Sequence, residues 1–122
     1  DRAEELTLYY VPGKSAQGSV YERFAQEGLP GEPRPVRVPV APLTLADPAV
    51  DLLKIDVEGH EAAVVRGCAA LRPRWLYIEV TLARQGLPAM RALCERSWGA
   101  IVSEAILEAS PARLDVLLGF AP

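Results

Sequence analysis

Asparagine is absent from the 122 residues, histidine and methionine occur once each, and cysteine occurs twice. No apolar run approaches the ~18 residues of a membrane span, so no membrane-spanning helix is expected in these residues. A cationic surplus is lacking too: thirteen Lys plus Arg face sixteen Asp plus Glu, for a net charge of −3. A protein of this balance is not expected to bind nucleic acid or anionic lipid through backbone or headgroup electrostatics. The opening residues Asp1-Arg2-Ala3-Glu4-Glu5 are charged where a secretory signal would turn apolar, so a cytoplasmic protein is expected. No initiating Met is present, and the expectation is that a segment preceded Asp1.

What is there is ordinary globular material, half apolar and 24% charged, enough for one compact domain over residues 1–122 and cramped for two. Eleven of the thirteen basic residues are Arg, a bias that names no ligand. Cys68 and Cys94 fall among apolar neighbours in helical patterns and read as reduced, buried thiols.

Residues 1–49 read as a strand followed by a Pro/Gly-rich loop region. Glu5 to Val11 mixes alternation with β-branched and aromatic residues and is closed by Pro12-Gly13. Gly13, Gly18, Gly28, Pro30, Gly31, Pro33 and Pro35 then mark a long loop in which Ser19 to Glu27 is the stretch able to form a short helix. Val36 to Val40 alternates, but Pro39 removes a ladder donor and predicts an edge or short strand.

Residues 50–122 read as a βαβαββ core. Val50 to Asp56 is a compact apolar strand. Glu61 to Leu71 carries Val64, Val65, Cys68 and Leu71 at helical spacing and is stopped by Pro73. Trp75 to Val80 is the next strand. Pro88 opens a helix with Met90, Leu93, Cys94 and Trp98 on one stripe and Gly99 as its C-terminal cap. This alternation predicts a parallel pair. Two apolar runs, Ala100 to Leu107 and Leu114 to Phe120, follow with a short connection that predicts an antiparallel hairpin.

The chemistry concentrates in Lys54-Ile55-Asp56-Val57-Glu58-Gly59-His60-Glu61, where a parallel strand hands over to a helix. Ligands of open α/β sheets bind at that carboxyl edge. Gly59 permits a positive φ at the turn. A purely structural role accounts for the same residues: acidic groups in a first helical turn gain ~0.3 to 1 kcal/mol each from the dipole, and an Asp at a strand end can cap a helix. His60 also fits a solvated turn histidine. A metal set would draw on Asp56, Glu58, His60 and Glu61, yet no second histidine exists and the spacing is unspecific, so no metal site is expected.

The stretch Val50 to Glu61, with its "LLKIDVEGHE" core, then Val64-Val65-Arg66-Gly67 and Leu76-Tyr77-Ile78-Glu79-Val80, closely resembles the S-adenosylmethionine-dependent methyltransferases of the FkbM type. A looser likeness covers Leu6 to Tyr9, Gly18-Ser19-Val20 and Val38 to Leu45, so that about residues 4 to 103 take part. The resemblance implies a partial class I methyltransferase (Rossmann-like) sheet in which Asp56 ends the fourth strand. It implies that Asp56 and Glu58 line the methyl-transfer site as catalytic residues, and that Ser19, Asp56 and Gly59 approach the cofactor S-adenosylmethionine. Glu61 would start the helix. The implied partner is a small-molecule hydroxyl acceptor on a sugar, polyketide or related compound, whose hydroxyl a carboxylate could orient or deprotonate. His60 stands where the family often has a small residue, and its role is open.

No two of the nine glycines are separated by a single residue, so the chain has no GxG turn. The resemblance places such a turn, and an acidic residue for the ribose hydroxyls, ahead of the region present here. The expectation is therefore an incomplete methyltransferase domain, inactive by itself. Two other readings stand beside it: a non-catalytic relic that binds a partner, or a homodimer, through an exposed sheet edge, and a small metal-dependent hydrolase.

Overall fold

The computed structural model describes residues 4–13, 18–21 and 31–122. The chain divides into two compact units, Asp1–Pro42 with Val57–His60, and Leu43–Asp56 with Glu61–Pro122.

In the first unit, β1 (Glu4–Tyr10) pairs antiparallel with β2 (Arg34–Val40), Leu6 opposite Val38 and Leu8 opposite Val36. β2 starts two residues before the predicted strand and contains both Pro35 and Pro39. The two prolines share parity, so the donors they lack lie along one edge, and the alternate donors at Val36, Val38 and Val40 stay available. β1 runs into the turn at Pro12-Gly13, where Gly13 takes φ 79°. Ser19 forms a bridge with Tyr9. Ser19 to Tyr21 are bridge and bend, and the remainder of the helix predicted over Ser19 to Glu27 lies outside the described residues.

The second unit is a four-stranded sheet in the order β3-β4-β6-β5. β3 (Ala49–Ile55) and β4 (Arg72–Thr81) are parallel, Leu53 opposite Leu76 and Ile55 opposite Ile78. β6 (Arg113–Phe120) runs antiparallel to β4, and β5 (Ile101–Ala109) antiparallel to β6. α1 (Glu61–Gly67) links β3 to β4, and α2 (Leu87–Trp98) links β4 to β5. Leu76, Ile78 and Val80 of β4 with Val116 and Leu118 of β6 are fully buried, as are Ile55, Val65, Met90 and Cys94. Each aliphatic side chain buried in this way contributes about 1.5–3 kcal/mol. Cys68 and Cys94 are both buried and free, without a disulfide.

α1 is shorter than the predicted 61–71. Its end is set by a competing partner: the Gly67 carbonyl, which a longer helix would give to Leu71, accepts the Leu43 N–H at 2.9 Å. The Cys68 N–H closes the last turn on Val64 O and Val65 O, and Leu71 turns back on Cys68 O at 2.9 Å. Pro73 does not stop this helix; it stands inside β4, opposite Val50. α2 keeps the expected ends, with Pro88 in its first turn and the Gly99 N–H donating to Glu95 O at 2.9 Å with Gly99 at φ 95°. Among the described residues, no helix is long and apolar enough to cross a membrane.

Candidate functional site

Asp56 follows the last residue of β3, at the carboxyl end of the parallel pair. Its side chain is 43% exposed and forms an ion pair with Lys54 at 3.2 Å. Such a solvent-facing pair is worth at most about 1 kcal/mol, so it does not commit the carboxylate to a structural duty. Lys54 also stands 5.7 Å from the centre of the Tyr77 ring.

Glu61 opens α1, where the sequence places it, but it is not a surface charge meeting the helix dipole. It is 2% exposed and accepts a hydrogen bond from Thr81 Oγ1 at 3.0 Å, Thr81 being buried as well. The bond ties the start of α1 to the end of β4.

A polar line crosses β4 and β6, outside the motif that stands out in the sequence. Tyr77 OH donates to Asp115 Oδ2 at 2.8 Å, and Arg113 Nη1 lies 3.3 Å from Glu79 Oε1 with both side chains largely covered. The hydrogen bond to Asp115, then burial and the surrounding carboxylates, hold the Tyr77 phenol above its usual value. Glu79, Glu108, Ser110, Arg113 and Asp115 line a cavity of about 240 Å³ at the carboxyl end of β4. A signal was available: in Trp75-Leu76-Tyr77-Ile78-Glu79-Val80 the odd positions are the polar and aromatic ones, which marks a second, polar sheet face. A wider groove of about 1030 Å³, lined among others by Arg72, Trp75 and Trp98, lies at the amino ends of β3 and β4 and carries none of the candidate residues.

In the first unit, Val57–His60 form a turn closed by the His60 N–H on Val57 O at 3.3 Å. Its two central residues both have positive φ, Glu58 at 48° and Gly59 at 96°, the pattern of a type I′ turn. Gly59 takes this conformation at no steric cost, whereas a side chain in the left-handed region costs about 1–2 kcal/mol. Among the described residues Glu58 is the one non-glycine with positive φ.

Ser19 meets this turn. Its Oγ donates to the Glu58 carbonyl at 2.7 Å and accepts the Tyr21 N–H at 3.1 Å, and the residue is 1% exposed. The structure therefore brings the Ser19 hydroxyl to the Glu58 carbonyl within the first unit. His60 places its ring 6.0 Å from that of Tyr21, tilted by 57°.

Residues 4–102 match the family model described as Methyltransferase FkbM domain, and the chain belongs to this family of methyltransferases. No curated protein and no solved structure is matched significantly.

Proposed function

We propose that these residues form the acceptor-side part of an S-adenosylmethionine-dependent O-methyltransferase acting on a hydroxyl of a sugar, polyketide or related small molecule. The observation that carries the reading is the acidic turn itself. Within the family-matched segment, Asp56 ends a parallel strand with its carboxylate open to solvent, and Glu58 follows in a strained turn. Strain of that kind persists where surrounding structure holds it, and it clusters at functional positions. The order β3-β4-β6-β5 with β6 reversed supports a partial class I sheet in which Asp56 ends the fourth strand.

S-adenosylmethionine, when bound, supplies the methyl group. Of the Asp56 and Glu58 carboxylates, one would orient the acceptor hydroxyl and one would take its single proton, as the O–C bond forms and the methyl–sulfur bond breaks to leave a neutral thioether. Gly59, lacking a side chain, leaves room for the cofactor, and the Ser19 loop borders it. The residues present suit the acceptor side of such a site and not the methionine and ribose ends, since the sequence offers no GxG turn.

Calorimetric titration with S-adenosylmethionine tests the reading. Each missing hydrogen bond to a charged group is worth about 1.5–3 kcal/mol, and ~1.4 kcal/mol is tenfold in affinity. The 122 residues alone should give no measurable heat of binding, and a longer protein that includes a GxG segment should bind. In that longer protein, Asp56→Asn should lower methyl transfer at least about a hundredfold. Tight binding by the 122 residues alone, or full activity of Asp56→Asn, would overturn it.

A further inference from the structure

We propose that Ser19 is a positioning residue for Glu58: its buried hydroxyl clamps the left-handed turn that decides where the Glu58 carboxylate stands. What the carboxylate does there rests on the methyltransferase reading; how it is held rests on geometry alone.

The backbone of Ser19 is fixed first. Its N–H donates to Tyr9 O at 2.9 Å and its carbonyl accepts the Tyr9 N–H at 2.7 Å, which fastens the residue to β1. The hydroxyl then has no freedom to wander, because it also accepts the Tyr21 N–H at 3.1 Å. A serine hydroxyl has one proton. Here that proton goes to the Glu58 carbonyl, across 39 residues of sequence and in a buried setting.

The acceptor atom is the telling one. The Glu58 carbonyl belongs to the peptide plane between Glu58 and Gly59, so fixing it fixes ψ of Glu58. With φ already at 48°, both backbone angles of the residue are then determined, and with them the direction of its Cα–Cβ bond. A glutamate has no intrinsic preference for this conformation, and an outside partner is what holds a strained residue in place. Alanine at position 19 would keep the fit and remove the clamp.

Two measurements on Ser19→Ala test the proposal. In the 122-residue chain, hydrogen exchange of the His60 amide, which closes the turn, should speed up about tenfold or more while the amides of β4 and β6 keep their rates. Unchanged exchange at His60 overturns the proposal. Should Ser19→Ala loosen the whole first unit, the same substitution is made in Glu58→Gly, where the left-handed backbone needs no clamp. A much smaller effect there supports the proposal, and an equal effect overturns it.

In an active, longer protein, Ser19→Ala should lower kcat about tenfold with KM for S-adenosylmethionine unchanged, and should add nothing further in a Glu58→Gln background. A raised KM with kcat held would make Ser19 a direct cofactor contact and overturn the positioning role, as would effects of Ser19→Ala and Glu58→Gln that multiply. If the longer protein transfers no methyl group to any hydroxyl acceptor, the O-methyltransferase reading fails, and the exchange measurement alone decides whether Ser19 holds the turn.

Discussion

The ring of Trp75 lies against the backbone of Gly119, its partner in the β4–β6 register, so closely that a Cβ at position 119 would stand 2.6 Å from Trp75 Cζ3 and 3.0 Å from Cε3. Glycine is a poor strand residue, and elsewhere in a sheet its replacement by alanine is favourable. Here Gly119→Ala should instead destabilise the protein by about 1–3 kcal/mol, because a packed indole must move aside. Urea unfolding followed by tryptophan fluorescence measures this, and a gain in stability would refute the close approach.

The Glu61–Thr81 pair predicts an asymmetry between two replacements at one position. Thr81→Val keeps the shape but takes a hydrogen-bond donor from a buried carboxylate, at a cost of about 1–3 kcal/mol. Thr81→Ser keeps the donor and should cost clearly less. Equal midpoints for the two variants in denaturant unfolding would show that the bond contributes nothing.

Burial, with the nearby Glu95 charge, pushes the Cys94 thiol from its usual 9.0 up to about 12, and burial pushes Cys68 up as well. Both thiols should therefore resist alkylation in the folded protein at pH 8 and react on unfolding. The sign of the stability effect follows from the raised value. Below pH 9 both folded and unfolded forms hold the proton and the contribution is whole. Between pH 9 and about 12 only the unfolded chain releases it, so stability falls as pH rises. Cys94→Ala should flatten that alkaline decline in urea midpoints measured across the range.

The bond from Tyr77 to Asp115 delays ionisation of the phenol. Ultraviolet titration at alkaline pH should show the Tyr77 phenol ionising above its ordinary value, and Asp115→Asn should move it back. A titration unchanged by that substitution would place the cause elsewhere.

Much of the second unit can be read from local pattern. The parallel pair, both helices and the two last strands announce themselves through periodicity, because each buries one face or one stripe against the sheet. The helix end at Gly67 could not be read so, since the Leu43 amide that captures its carbonyl comes from 24 residues upstream. Nor could the environment of Glu61, which a helix-start rule treats as solvent-facing and which the end of β4 buries. In the turn, Gly59 announced a positive φ, but Glu58 belongs to a residue type with no liking for that conformation. Its cause lies in Ser19, where no local signal in the sequence points to the contact.

The two register shifts in β5, between Ile101 and Ser103 and between Ile106 and Glu108, bear on how the protein behaves at high concentration. β5 is an outer strand with Val102, Ile106 and Leu107 more than half exposed, a composition that would otherwise invite another chain to add itself in register. Each bulge breaks the regular spacing of free amides and carbonyls and twists the strand locally, leaving too short a straight stretch for a foreign strand to zip along. Glu108 adds like charge between any two copies, whereas Glu104 is paired with Arg91 at 3.0 Å. The irregularity of this strand thus works against strand addition, and deleting both extra residues, Val102 and Leu107, should raise fibre formation measured by thioflavin fluorescence, an unchanged signal counting against it.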